Sequence, residues 1–129
     1  MYNMHFSQLE TSTAMLNLSR KSDSNIQAGL LASIGADGKV VLASATNSNV
    51  LGVVLGVLGE DNRVGNCHSI ATQGTNISCQ VAGDYVVGND AFLDEATGKV
   101  SATGNVIVGK FCQAKQVVGG VAVGFIHRV

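Results

Sequence analysis

From Ile26 onward, apolar residues recur mostly at every second position, in short runs closed by Gly, Asn or Asp. A period of two puts one face of an extended chain in a core and the other in water, so the pattern predicts strands. Leu30-Leu31-Ala32-Ser33-Ile34 leads into Ala36-Asp37-Gly38-Lys39, and Val40-Val41-Leu42 leaves it. An Asp-Gly pair between such runs is a hairpin signal. Val50–Leu58 is almost wholly apolar, and its β-branched residues and repeated glycines favour a strand buried on both faces over a helix. His68–Thr72 and Ile77–Val81 flank Gly74-Thr75-Asn76 as a further hairpin, and Val121–His127 reads as a last strand. The expected class is all-β, a barrel-like or sandwich body.

The pattern is also repeated. Residues 29–56 (GLLASIGADGKVVLASATNSNVLGVVLG) and 88–114 (GNDAFLDEATGKVSATGNVIVGKFCQA) each contain an apolar run, a Gly-Lys turn, a small-residue stretch and a valine-rich run with Gly. Gly38-Lys39 and Gly98-Lys99 lie 60 residues apart, whereas Gly52 and Gly109 lie 57 apart, so the second copy has lost three residues between these landmarks. Two related strand–turn–strand units therefore organise a body over residues 26–129, and these six residues mark its structural turns and close approaches. A closed barrel would remove the edges that valine-rich strands otherwise expose.

Residues 1–25 read as an extended N-terminal arm. Met4, Phe6, Leu9, Met15, Leu16 and Leu18 are more apolar than a free polar tail, but their spacing defines no helix with its own core. With Arg20 and Lys21, suited to an acidic surface, they are the candidate partner interface. Two arrangements satisfy them: ordering against another subunit, or folding back over the chain's own barrel.

Composition narrows the function classes. The 129 residues fit one domain, and charged residues make up only 13%, so Ser, Thr, Asn, Gln and Gly must cover the surface. A net charge of −1 gives no electrostatic footprint for nucleic acid. The first residues lack a basic segment followed by an apolar core, so no signal peptide is expected, and no run is long enough to span a membrane. Cys67, Cys79 and Cys112 are odd in number and sit in strand-like runs, which predicts free thiols.

Chemical motifs are weak. Cys67, Cys79 and His127 could form a metal site only if strands brought them together, and Cys112 has no local base to make it a nucleophile. Asp94-Glu95 precedes Ala96-Thr97-Gly98-Lys99 and reads as a turn cap rather than an acid–base pair. The Gly-rich runs lack the spacing of a phosphate loop. No catalytic residue, metal or cofactor is expected.

The block Ala82-Gly83-Asp84-Tyr85-Val86-Val87-Gly88-Asn89-Asp90-Ala91-Phe92-Leu93-Asp94-Glu95-Ala96-Thr97-Gly98-Lys99-Val100, followed by Val106–Lys110, resembles a family of small tailed-phage proteins described as capsid decoration, cement or head structural proteins. Ala28–Leu31, Asp37–Val41 and Val50–Val53 are similar to that family's opening, and the resemblance covers roughly residues 26–126. It implies a non-enzymatic virion protein that sits on the outside of an icosahedral shell, assembled in the host cytoplasm. The major capsid protein would be its partner and a homotrimer its favoured oligomer, with no nucleic acid or membrane involved. An anchor domain of a head fibre, or another accessory head or tail protein, is the alternative, and a small ligand-binding β domain a lesser one.

Overall fold

The computed structural model describes residues 5–6 and 16–129. Eleven strands are described: β1 (His5–Phe6), β2 (Leu16–Lys21), β3 (Leu31–Ile34), β4 (Val40–Leu42), β5 (Val50–Val54), β6 (Gly56–Val57), β7 (Cys67–Gln80), β8 (Asp90–Leu93), β9 (Val100–Ser101), β10 (Ile107–Val118) and β11 (Val121–Arg128). The body is all-β. β1 pairs with β6, and the other nine strands form one strongly curled sheet in the order β4-β3-β5-β7-β11-β10-β8-β9, with β2 also on β7. The curl returns the sheet upon itself: Val81, just past β7, bridges Val100 of β9, and Ala82 N–H donates to Val100 O at 2.8 Å.

Register places two copies of one five-strand unit in tandem, with β7 shared between them. In the first copy Ala32 pairs with Gly52 and, after a bulge, Ser33 with Val50. In the second, Ala91 pairs with Gly109 and, after a bulge, Phe92 with Ile107. Ile34 stands opposite Val40 as Leu93 stands opposite Val100. Gly29 N–H donates to Val54 O at 2.8 Å, and Gly88 N–H donates to Phe111 O at 2.8 Å.

The equivalence runs beyond the stretch legible in the sequence. Leu18 and Arg20 of β2 face Ile70 and His68 in the first half of β7. Ile77 and Cys79 in the second half of β7 face Ile126 and Gly124 of β11 in the same order. Residues 16–21, read in the sequence as arm, are therefore the first strand of the first unit. The long β7 ends one unit and begins the next. Gly74-Thr75-Asn76, expected to turn a hairpin, instead lie within one continuous strand whose two halves pair with β2 and β11 rather than with each other. Six residues of β2 are too few for alternation alone to reveal this, since the hydrogen bonds of β7 supply the register.

Each unit folds around matching positions. Ile26, Ala32, Val40, Val54 and Ile70 form the core of the first. Their counterparts Tyr85, Ala91, Val100, Phe111 and Ile126 lie in a larger cluster that Leu31, Val53 and Ala71 of the first unit also enter. The sheet of the first unit thus turns Ile70 toward its own core and the adjacent Ala71 toward its neighbour's, as alternation along a strand requires. Burying Leu31 and Val53 at that junction contributes about 1.5–3 kcal/mol each.

The two cores solve one packing problem differently. In the second unit the Tyr85 ring stacks on Phe111 with centroids 3.7 Å apart, and its hydroxyl donates to Gln113 O at 2.6 Å. Gly124 makes room, since a Cβ there would meet the Tyr85 ring at 3.2 Å. In the first unit Ile26 replaces the tyrosine, and His68, at the position of Gly124, is wholly buried.

His68 Nε2 accepts the Ile26 N–H at 2.9 Å, which leaves the proton on Nδ1, where no hydrogen-bond partner among the described residues has suitable geometry. Burial lowers its pKa from 6.5; Arg63 adds to this, outweighing the Ser24 carbonyl and Asp61, which favour the charged ring. The unfolded chain therefore takes up a proton at His68 at a pH where the folded chain refuses it. Stability should be level above pH 6.5 with respect to this group and fall as pH drops below it. Urea midpoints at about pH 7.5 and about pH 5.5 measure the loss, which should shrink in His68→Gln.

Candidate interaction surface

Of the candidate interface residues, Met4, Leu9 and Met15 lie outside the described residues, while Phe6 and Leu16 belong to β1 and β2. Leu18, Arg20 and Lys21 are exposed on β2, Leu18 at 36%. Beside them Lys21, Ser22, Asp23, Lys39, Arg63, Gly65 and Asn66 line a polar depression of about 300 Å³. Ser22 N–H donates to Asn66 O at 2.9 Å, which ties the end of β2 to the loop before β7.

Charge around the depression is partly committed. Lys39 Nζ pairs with Asp23 at 3.0 Å, and that hydrogen bond and charge raise the lysine pKa. Arg63 pairs with Asp61 at 2.7 Å and holds that carboxyl at a pKa of about 2. Such exposed pairs stabilise little by themselves. Arg20 and Lys21 make no ion pair among the described residues, so they present positive charge outward. Val64, 83% exposed, adjoins Arg63 and bridges Cys67, the residue opposite Lys21. Sequence reading missed Val64 because a lone valine in a loop carries no signal.

The marked glycines divide into two kinds. Gly38 and Gly98 turn their hairpins at φ of 83° and 79°, a region that side chains with a Cβ rarely adopt. Asp94 caps the second turn, accepting from Thr97 Oγ1 at 2.7 Å, while Lys99 N–H donates to Thr97 Oγ1 at 3.3 Å. Lys39 N–H donates to Asp37 Oδ1 at 3.0 Å in the first. The Gly38 turn is open, whereas a Cβ on Gly98 would strike the Leu42 side chain at 2.5 Å. Gly38→Val should therefore cost about 1–2 kcal/mol. Gly98→Val should cost at least as much, since its Cβ would also press on Leu42, an exposed side chain that can swing aside. Unchanged thermal midpoints in both variants would show that the turns do not use the glycine's freedom. Gly52 and Gly109 are of the second kind, at close strand contacts with Ala71 and His127.

The chemical candidates stand apart. Cys67, Cys79 and Cys112 are free thiols. Cys79 is fully buried, which pushes its pKa up, and Cys112 Sγ donates to Asn76 Oδ1 at 3.3 Å. His127 is exposed and bonded to Thr75 Oγ1 at 2.8 Å. Among the described residues no three His, Cys, Asp or Glu side chains form a group able to hold a metal ion. Asp94 is engaged by the turn, and Glu95 accepts from Asn105 at 3.3 Å.

Arg128 has a structural task that its place in the sequence does not signal. It donates to the carbonyls of Val108 (2.7 Å), Thr72 (3.1 Å) and Leu51 (3.3 Å). Leu51 and Val108 are equivalent positions, each just before the close-contact glycine, so one guanidinium ties the two units together.

Comparison with protein-family models, curated proteins and solved structures finds no match. The surface chemistry therefore has to carry the functional reading. Its distinguishing feature is the exposed end of β2, where Leu18 and Arg20 lie on one face, Lys21 on the other, and Val64 adjoins the end of the strand.

Proposed function

We propose that this chain is a non-enzymatic structural protein of a tailed-phage virion, binding the outside of the icosahedral shell and reinforcing contacts between major capsid protein subunits. The observation that carries the reading is the exposed end of β2 in the first unit, with Leu18 and Arg20 on one face, Lys21 on the other and Val64 adjoining. It combines apolar area with positive charge that forms no ion pair among the described residues, which suits an acidic, partly apolar protein surface. The resemblance of residues 26–126 to decoration proteins supplies the partner class. A single patch of this size binds weakly, but copies that associate with one another on a repeating lattice gain from effective concentration. Homo-oligomerisation, with a trimer favoured, belongs to the same proposal.

The test is binding of purified protein to assembled, undecorated shells of the phage that carries this sequence. Arg20→Glu combined with Val64→Asp should weaken binding at least about thirtyfold while leaving the melting temperature unchanged. Wild-type binding by that variant would remove the patch from the account.

A further inference from the structure

Each unit presents both halves of one contact, and the chain uses only one of each. Inside the molecule, the first unit offers Ala28-Gly29 and Leu31 to the second. Gln80 N–H donates to Gly29 O at 2.8 Å, Gln80 Nε2 donates to Ala28 O at 3.0 Å, and Leu31 N–H donates to Gly98 O at 2.8 Å. Ala28 is covered by Val123 and Phe125 of β11. On the second unit the positions equivalent to Ala28 and Val50 are Val87 and Ile107. Ala28 is fully buried and Val50 packs against the shared core, whereas Val87 is 50% and Ile107 61% exposed.

The complementary half is open at the other end. Ser78 and Phe125, which face each other across β7 and β11, are buried. Their counterparts Ser19 and Ser69, which face each other across β2 and β7, are exposed. The Gly98 turn is docked against Leu42, whereas a Cβ on the equivalent Gly38 would meet nothing within 4 Å among the described residues.

We infer that a second copy of this chain docks head to tail, laying the Ser19–Ser69 face and Gly38 turn of its first unit on the Val87–Ile107 face of the second unit, as the two units dock within one chain. The occupant follows from the repeat: the surface is a relative of one that already holds a partner with this fold. Charge is compatible, since Lys21, which forms no ion pair among the described residues, lies on the arriving face, and Asp90, paired with Lys110, takes the place of Leu31 on the receiving one. Asp90 and Lys110 form an exposed pair where the internal contact has Leu31 and Val53, so the copy-to-copy contact is weaker than the internal one and depends on concentration. A contact between two different surfaces generates closed rings or open filaments, not two-fold dimers. The inference stands on the repeat and does not require the capsid reading.

Sedimentation velocity of the 129-residue protein up to about 1 mM tests it. The wild type should associate with rising concentration. Val87→Asp spoils one half of the contact and Ser69→Arg the other, and each alone should weaken association at least about thirtyfold. Mixed together they retain one good half each, and should form a one-to-one dimer that grows no further. Ile107→Glu and Ser19→Arg serve if either first variant melts early. A wild type that stays monomeric, association that ignores both substitutions, or a mixture that does not pair would overturn the inference.

Discussion

Gly52→Ala should cost about 3 kcal/mol or more, enough to leave a marginal domain largely unfolded. A single methyl group rarely does this on a β-sheet. Here the added Cβ would be driven into the carbonyl of Ala71 and against the Ile70 side chain, both on the strand that pairs with β5. A backbone carbonyl in a ladder cannot swing aside as a flexible side chain can, so β5 would have to leave β7. That separation would open the core of the first unit at Val54 and Ile70 and the shared core at Val53 and Ala71. Gly109→Ala should behave alike, because its Cβ would meet the His127 carbonyl at the equivalent place. Urea denaturation of the two variants checks the pair, and a loss below about 1 kcal/mol in both would show that the strands can part without penalty.

Phe111→Ala should cost about 3–5 kcal/mol, against about 1–3 kcal/mol for Val54→Ala at the matching position. Phe111 is 1% exposed in the shared cluster, and its ring stacks on Tyr85. Removing it takes away the aromatic pair and leaves a cavity lined by both units, since Leu31 and Val53 reach the same cluster. Val54 lies in the smaller core of the first unit, where the hole is shallower and Ile26 and Ile70 can close on it. Thermal unfolding of the two variants separates them; equal losses would mean that the units do not share a core.

Much of this fold was legible in the chain. The Gly-Lys turns, the valine-rich runs and their changed spacing located the central hairpins of both units, because turn chemistry and period two are local properties. The outer strands were not legible as a pair. Leu18-Ser19-Arg20-Lys21 and Ile77-Ser78-Cys79-Gln80 share only a serine, and they match through their pairing with β7 and β11. His68 looked unremarkable beside Cys67 because its role depends on Gly124 and Tyr85 in the other unit for its meaning. Of the proposed interaction surface, Leu18, Arg20 and Lys21 carried a signal in the sequence, in their excess apolarity and charge. The sequence could not point to Val64, Val87 or Ile107, since one exposed aliphatic is ordinary until its equivalent is found buried.

The central claim is that this small doubled β body decorates a capsid. Electron cryomicroscopy of intact virions tests it most directly. The account predicts stoichiometric two-lobed density on the outer face of the shell, fitted by the two units, with Arg20 and Val64 against the capsid protein and the second unit of each copy meeting the first unit of the next. Virions whose outer surface carries no such density would contradict it.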